Sequence, residues 1–257
     1  MCELFGISSA KKYPANDYLS VFYSHGQRHP HGWGLLTVSG GEFRMMKEDR
    51  CALSSERLQK RLSCTVSGEV VMAHIRYATI GNVEYENCHP FCGCDNTGKH
   101  WALMHNGTIF DHPPLRRYLW EQKGQTDSER IFLYLLDQIS AAQKQKGASL
   151  TLEESFSLLE TLITDMAKGN KLNLLFTDGT HLFVHTNCRH TLYYLPHKDS
   201  ILFSTTPLTQ EAWREVPFAR LMAFSQGRKL TEGTPHQNEY LESADATKML
   251  YRIFADL

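Results

Sequence analysis

The chain has 257 residues, 42% apolar and 21% charged, which suits a globular protein and excludes disordered and fibrous classes. Its 27 basic and 28 acidic residues nearly cancel, so bulk charge recruits neither nucleic acid nor an anionic membrane. No run approaches the roughly 18 apolar residues of a membrane span, MCELFGISSAKK lacks an export signal, and seven scattered cysteines do not read as a disulfide framework; a cytoplasmic chain with reduced thiols is expected.

In chain order, alternation and apolar runs predict a strand at 2–8, a helix at 16–25, strands at 32–38 and 42–47, a helix at 54–62 and strands at 69–78 and 100–106. Helical periodicity then fills 114–122, 127–144 and 152–167, with Thr126–Glu129 and Thr151–Glu154 at capping-box spacing before the two long helices. Further strands are predicted at 171–177, 181–185, 191–195, 200–205 and 220–224, and a last helix at 245–256. The stretch 79–99, with Gly81, Pro90, Gly93 and Gly98, is long for a compact domain and reads as a functional loop. Two β runs flank a helical block with no low-complexity linker, so one domain over 1–257 is expected. Its class is α+β: two stacked, mainly antiparallel sheets covered by helices, a four-layer αββα sandwich.

Cys2, in MCELFGI, is either a small hydrophobe opening a buried strand or, once the initiator is trimmed, a thiol and a free α-amine on one residue, a nucleophile with its own base. Arg76, ending the AHIRYAT strand, can make a structural ion pair or present its planar fork to a carboxylate. Asn106 and Gly107 of MHNG can form a tight turn or offer two non-ionising donors to an oxyanion. Asp127 of GQTDSE falls at the first helical position, where the dipole stabilises its charge; behind an exposed Gly-Gln turn it can also face a pocket and take up an ammonium group.

Within ENCHPFCGCDNTGKH, Cys88, Cys92 and Cys94 with His89 or His100 match no common zinc spacing. Gly93, Gly98 and Lys99 lie at phosphate-loop spacing, but His100 and a strand follow where a Ser or Thr and a helix are needed. Neither a metal nor a nucleotide is expected there. His25, His29 and His31, around QRHPHGWG, read as solvated or packed residues, and Trp33 as core.

In this order the segments resemble class II glutamine amidotransferases, the glutaminase branch of the N-terminal nucleophile hydrolases, in their stand-alone bacterial variety. MCELFGI is similar to their start, QRHPHGWG to their Arg-Gly then Gly-x-Gly turn and AHIRYATIG to the glutamine-holding arginine segment. NCHPF and MHNG are similar to the following loop and oxyanion pair, GQTDSE to the substrate aspartate segment, and KLNLLFTDG and LFSTTPL to second-sheet strands. The resemblance implies the N-terminal nucleophile hydrolase fold and hydrolysis of the glutamine side-chain amide through a Cys2 thioester, releasing glutamate and ammonia without a cofactor. It implies Asn106 and Gly107 as oxyanion donors, Arg76 and Asp127 as holders of the substrate's carboxylate and ammonium, Arg28, Thr79 and His105 as site-lining residues, and an ammonia-accepting partner enzyme. Two residues depart from the pattern: His31 stands where relatives often have Asp before GlyTrpGly, and Cys88 where many have Thr before HisProPhe. The competing readings are a γ-glutamyl hydrolase acting on a larger metabolite and a metal-binding module around Cys88, Cys92 and Cys94.

Overall fold

The computed structural model describes residues 2–242, and the helix expected at 245–256 lies outside them. The first part of the chain forms β1 (Glu3–Pro14), α1 (Asn16–Ser24), β2 (Trp33–Ser39), β3 (Glu42–Glu48), α2 (Glu56–Leu62), β4 (Ser67–Ile75), β5 (Phe91–Cys94) and β6 (His100–Thr108). Then come α3 (Asp127–Lys146), α4 (Leu152–Met166), β7 (Lys171–Thr177), β8 (Leu182–Thr186), β9 (Tyr193–Pro196), β10 (Ser200–Ser204), β11 (Arg214–Glu215), β12 (Arg220–Ser225) and β13 (Arg228–Glu232).

One sheet has the order β11-β9-β10-β1-β4-β2-β3 and the other β13-β12-β8-β7-β6-β5, with antiparallel pairing throughout. Successive strand residues point to opposite faces, and the apolar residues divide accordingly. Leu4, Met72, Met104 and Leu175 meet between the sheets. Phe5, Ala73 and Ile75 pack outward with Leu19 and Phe22 of α1 and Leu58 of α2, while Leu103 and Leu174 pack against Ile131 and Leu135 of α3 and Leu159 of α4. The four-layer αββα sandwich is the result. Gly6 lets the sheets approach, since a Cβ there would lie 2.7 Å from Leu175 Cδ1.

Local expectations differ from the structure in several places: β11 and β13 are not among the predicted strands and β1 runs beyond residue 8, and three further differences lie near the helices and the long loop. The 114–122 helix is a 3-10 helix over Pro113–Trp120, in keeping with two prolines that supply no N–H. The loop 79–99 contains β5, paired with the first half of β6. Thr126 accepts from Glu129 N at 3.2 Å, but the Glu129 carboxylate turns to Lys123 N and Gly124 N, at 2.8 Å each; the reciprocal box forms only at Thr151.

Gly34, on β2, is a point of close approach. A Cβ there would drive into the His89 carbonyl and lie 3.1 Å from Pro90 Cδ. Gly34→Ala is therefore expected to cost about 1–3 kcal/mol or more, as overpacking does, seen as a lower urea midpoint at unchanged m-value.

Candidate active site

The start of β1 and the C-terminal ends of β4 and β6 meet at one rim of the sandwich. Leu4 pairs with His74, and both the Arg76 guanidinium and the Asp127 carboxylate act electrostatically on the Cys2 thiol. Cys2 is half-buried; its Sγ donates to Tyr77 O at 3.5 Å and accepts from Tyr77 N at 3.4 Å. Burial pushes the thiol above its ordinary pKa, while the Tyr77 backbone and Arg76 act in the opposite direction.

Arg76 is 3% exposed. Its backbone is fixed by Arg76 N donating to Gly32 O and by His31 N donating to Arg76 O. Its Nη1 donates to Asn82 O (2.8 Å) and its Nη2 to Ile80 O (2.9 Å) and Gly81 O (3.0 Å). The guanidinium is thus held by loop carbonyls and has no carboxylate partner among the described residues, so the structural ion pair is not its role here. Thr79 lines a cavity of about 560 Å³ beside this loop, with Ile80, Gly81, Asn82, Val83 and Gln125.

Asn106 is 2% exposed, yet its side chain makes no hydrogen bond among the described residues. Its cross-strand neighbour Asn173 is fully engaged: Nδ2 donates to Thr191 Oγ1 (2.8 Å) and Oδ1 accepts from Thr186 Oγ1 (2.7 Å). Gly107 lies opposite Leu172, and Leu172 N donates to Asn187 Oδ1 on the far side of β7. The ladder's alternation then points the Gly107 N–H away from β7, toward an edge that β5 covers only as far as Leu103. A Cβ on Gly107 would overlap the Lys171 carbonyl. The tight-turn alternative for Asn106–Gly107 does not occur; both residues are inside β6.

Asp127 is buried at the N-terminus of α3. Its Oδ2 accepts from Ile109 N at 2.8 Å and its Oδ1 from Ser128 N at 2.9 Å. No basic side chain pairs with it among the described residues. Two amides and the helix dipole stabilise the anion.

The sequence profile of the class-II glutamine amidotransferases matches residues 1–200. The chain belongs to the class-II glutamine amidotransferases. It is 29% identical to an uncharacterized protein of Methanocaldococcus jannaschii, over 90% of this chain and 71% of that one. To the amidophosphoribosyltransferase of the same organism it is 29% identical over 62% of this chain, but only 35% of that enzyme is covered. The crystal structure of a predicted glutamine amidotransferase from Pseudomonas aeruginosa superposes with a TM-score of 0.65 at 22% identity, covering 90% of this chain and 100% of that one. Glutamine phosphoribosylpyrophosphate amidotransferase of Bacillus subtilis gives 0.65 at 20% identity, over 93% and 50%. Both share the N-terminal nucleophile hydrolase fold. Among the described residues no helix is long and apolar enough to cross a membrane.

The two departures from the amidotransferase pattern have local explanations. His31 Nδ1 accepts from Ala78 N at 2.9 Å, a task an aspartate oxygen performs equally well. Cys88 is buried, with Sγ 3.3 Å from Glu48 O, and Gly32 makes room for it, since a Cβ there would lie 2.5 Å from the sulfur. Burial raises the Cys88 thiol to about 11. The candidate metal ligands do not gather at one point: Cys94 meets His100, but Cys92 meets Met45 and His89 lies against His74. No three His, Cys, Asp or Glu side chains among the described residues could hold a metal ion.

Two of the expected lining residues are placed differently from one another. Arg28 is exposed, and its side chain makes no hydrogen bond or ion pair among the described residues. His105 alternates with Asn106 and so faces α3, with Nδ1 2.9 Å from Ser128 Oγ. In contrast, His25 and His29 do more than pack: Glu3, next to Cys2, meets His25 Nδ1 at 2.8 Å and His29 Nε2 at 3.8 Å. This clamp ties the amidotransferase's first strand to the 3-10 helix His25–Arg28.

Buried imidazoles also predict the amidotransferase's acid response. Burial lowers His74 and His185 to about 3 and His89 well below its ordinary value. The unfolded chain takes up these protons near pH 6.5, whereas the folded one refuses them. The stability these histidines contribute is complete above pH 6.5 and falls below it, by about 1.4 kcal/mol per pH unit for each. Asp95 and Asp178 are held near 2 by hydrogen bonds that outweigh their burial, so they act only below about pH 4. A urea midpoint that drops between pH 7 and 5 is the expected result.

Proposed function

We propose that this amidotransferase hydrolyses the side-chain amide of glutamine, with Cys2 as nucleophile once Met1 is removed. An α-amine ordinarily titrates near 7.7–8.0 and a thiol near 8.5; burial raises the Cys2 thiol above its ordinary value, so it needs a base at hand, and its own amine is that base. The amine takes the thiol proton as Sγ attacks the amide carbon, and the negative charge on oxygen is received by Asn106 Nδ2 and the Gly107 N–H. The C–N bond breaks as the ammonium returns its proton to the departing ammonia, leaving a γ-glutamyl thioester. Water, deprotonated by the same amine, attacks the thioester; glutamate leaves and the thiol is restored. Arg76 holds the α-carboxylate and Asp127 the α-ammonium, fixing the amide at the sulfur. Ammonia passes to water or to an acceptor enzyme.

The observation that carries this reading is the convergence at one rim of a thiol, a buried amide with no partner among the described residues, a guanidinium and a carboxylate without a basic partner. The test uses a diazoketone analogue of glutamine. One covalent adduct on Cys2 is expected, together with equimolar glutamate and ammonia from glutamine itself; no adduct and no glutamate would overturn the reading. A kcat/KM for γ-glutamyl amides above that for glutamine would favour the γ-glutamyl hydrolase.

A further inference from the structure

Resting on that reading, we infer that Asn87 is a positioning residue which couples the two anchors of the substrate's amino-acid end. Asn87 is completely buried and spans the space between two segments distant in sequence. Its Nδ2 donates to Asn82 O at 3.0 Å and to Gln125 Oε1 at 3.1 Å, and its Oδ1 accepts from Gln125 N at 2.7 Å. Gln125 Oε1 also accepts from Asn82 N at 2.9 Å. The loop that holds Arg76 and the turn that leads into Asp127 are therefore joined through two side-chain amides, Asn87 at the centre and Gln125 beside it.

The coupling is direct because the Asn82 carbonyl is shared: one lone pair takes Asn87 Nδ2 and the other Arg76 Nη1, at 2.8 Å. On the opposite side, the turn is closed by Glu129 on Lys123 N and Gly124 N, and Thr126 then caps the helix that begins with Asp127. The two glycines in these segments accommodate Asn87. A Cβ at Gly81 would lie 3.0 Å from its Nδ2, and one at Gly124 would overlap its Oδ1. The geometry sets the separation of guanidinium and carboxylate, and so selects α-amino acids over ligands that lack either charge.

The test compares two reagents at Cys2 by peptide mass mapping in the mature protein. Iodoacetamide has no amino-acid end, whereas the diazoketone analogue of glutamine has one. Asn87→Ala and Gln125→Ala are expected to slow labelling by the analogue about tenfold, the worth of one or two buried hydrogen bonds, and to raise KM for glutamine more than they lower kcat. Iodoacetamide labelling should stay within about twofold of wild type, and the double variant should be no slower than Asn87→Ala, as expected for one shared network. Gln125 is exposed, so its variant keeps the test open if Asn87→Ala folds poorly. Equal losses with both reagents, or no loss in either variant, would overturn the coupling. Wild-type protein that reacts with iodoacetamide but not with the analogue would instead overturn the glutamine reading on which it rests.

Discussion

Replacing Cys2 with alanine is expected to lower kcat for glutamine hydrolysis by roughly 10⁴-fold or more, the scale seen when a covalent nucleophile is removed. The fold should survive. Among the described residues the Cys2 thiol hydrogen-bonds the Tyr77 backbone alone, through two long sulfur contacts, so the thermal midpoint should move by no more than a few degrees, equivalent to about 1 kcal/mol. Protein in which Met1 is deliberately retained offers a sharper test, because it keeps the thiol and converts the base into an amide nitrogen. Its activity should fall as well, while iodoacetamide still labels the sulfur. Normal glutamate release from either variant would remove the N-terminal residue from the mechanism.

Asn106→Ala should lower kcat about 10²–10³-fold, the usual consequence of losing one oxyanion donor, with KM nearly unchanged because the donor acts on charge that develops only in the transition state. The informative control is one strand away. Asn173 has both ends of its amide hydrogen-bonded to threonine hydroxyls, so Asn173→Ala should leave kcat within a few-fold and cost about 1–3 kcal/mol of stability by stranding those groups. Two asparagines paired across the same ladder thus carry opposite predictions. Steady-state kinetics beside urea unfolding separates them, and an Asn106 variant that is unstable but fully active would assign that residue to the fold.

Much of the architecture is legible because period-two burial is local: Leu4 against Phe5 and Met72 against Ala73 already divide the inner from the outer faces. Asp127 is legible for the same reason, since a helix N-terminus announces itself within a few letters. β5 is not, because FCGC is short and contains a glycine; it becomes a strand where Gly93 lets Phe132 settle over it, 3.2 Å from where a Cβ would stand. Asn87 carries no periodic signal at all. Its importance arises when a turn 38 positions away closes on it, just as Glu3 acquires His25 from 22 positions away. Arg28 illustrates the converse: motif order groups it with the site, but how far its long side chain is exposed is read only in the fold. Glu129 has the spacing of a capping box, but its carboxylate finds two turn amides that a count of letters does not reveal.

Because β5 covers β6 only as far as Leu103, the N–H proposed as the Gly107 donor is left to the main chain itself. Residue-by-residue mutagenesis cannot delete it, and every larger side chain at 107 fails first against the Lys171 carbonyl, so a saturation library would score this position as structural. Exchanging the amide for an ester by semisynthesis removes the hydrogen while keeping the shape, and would isolate the contribution that genetic variation hides.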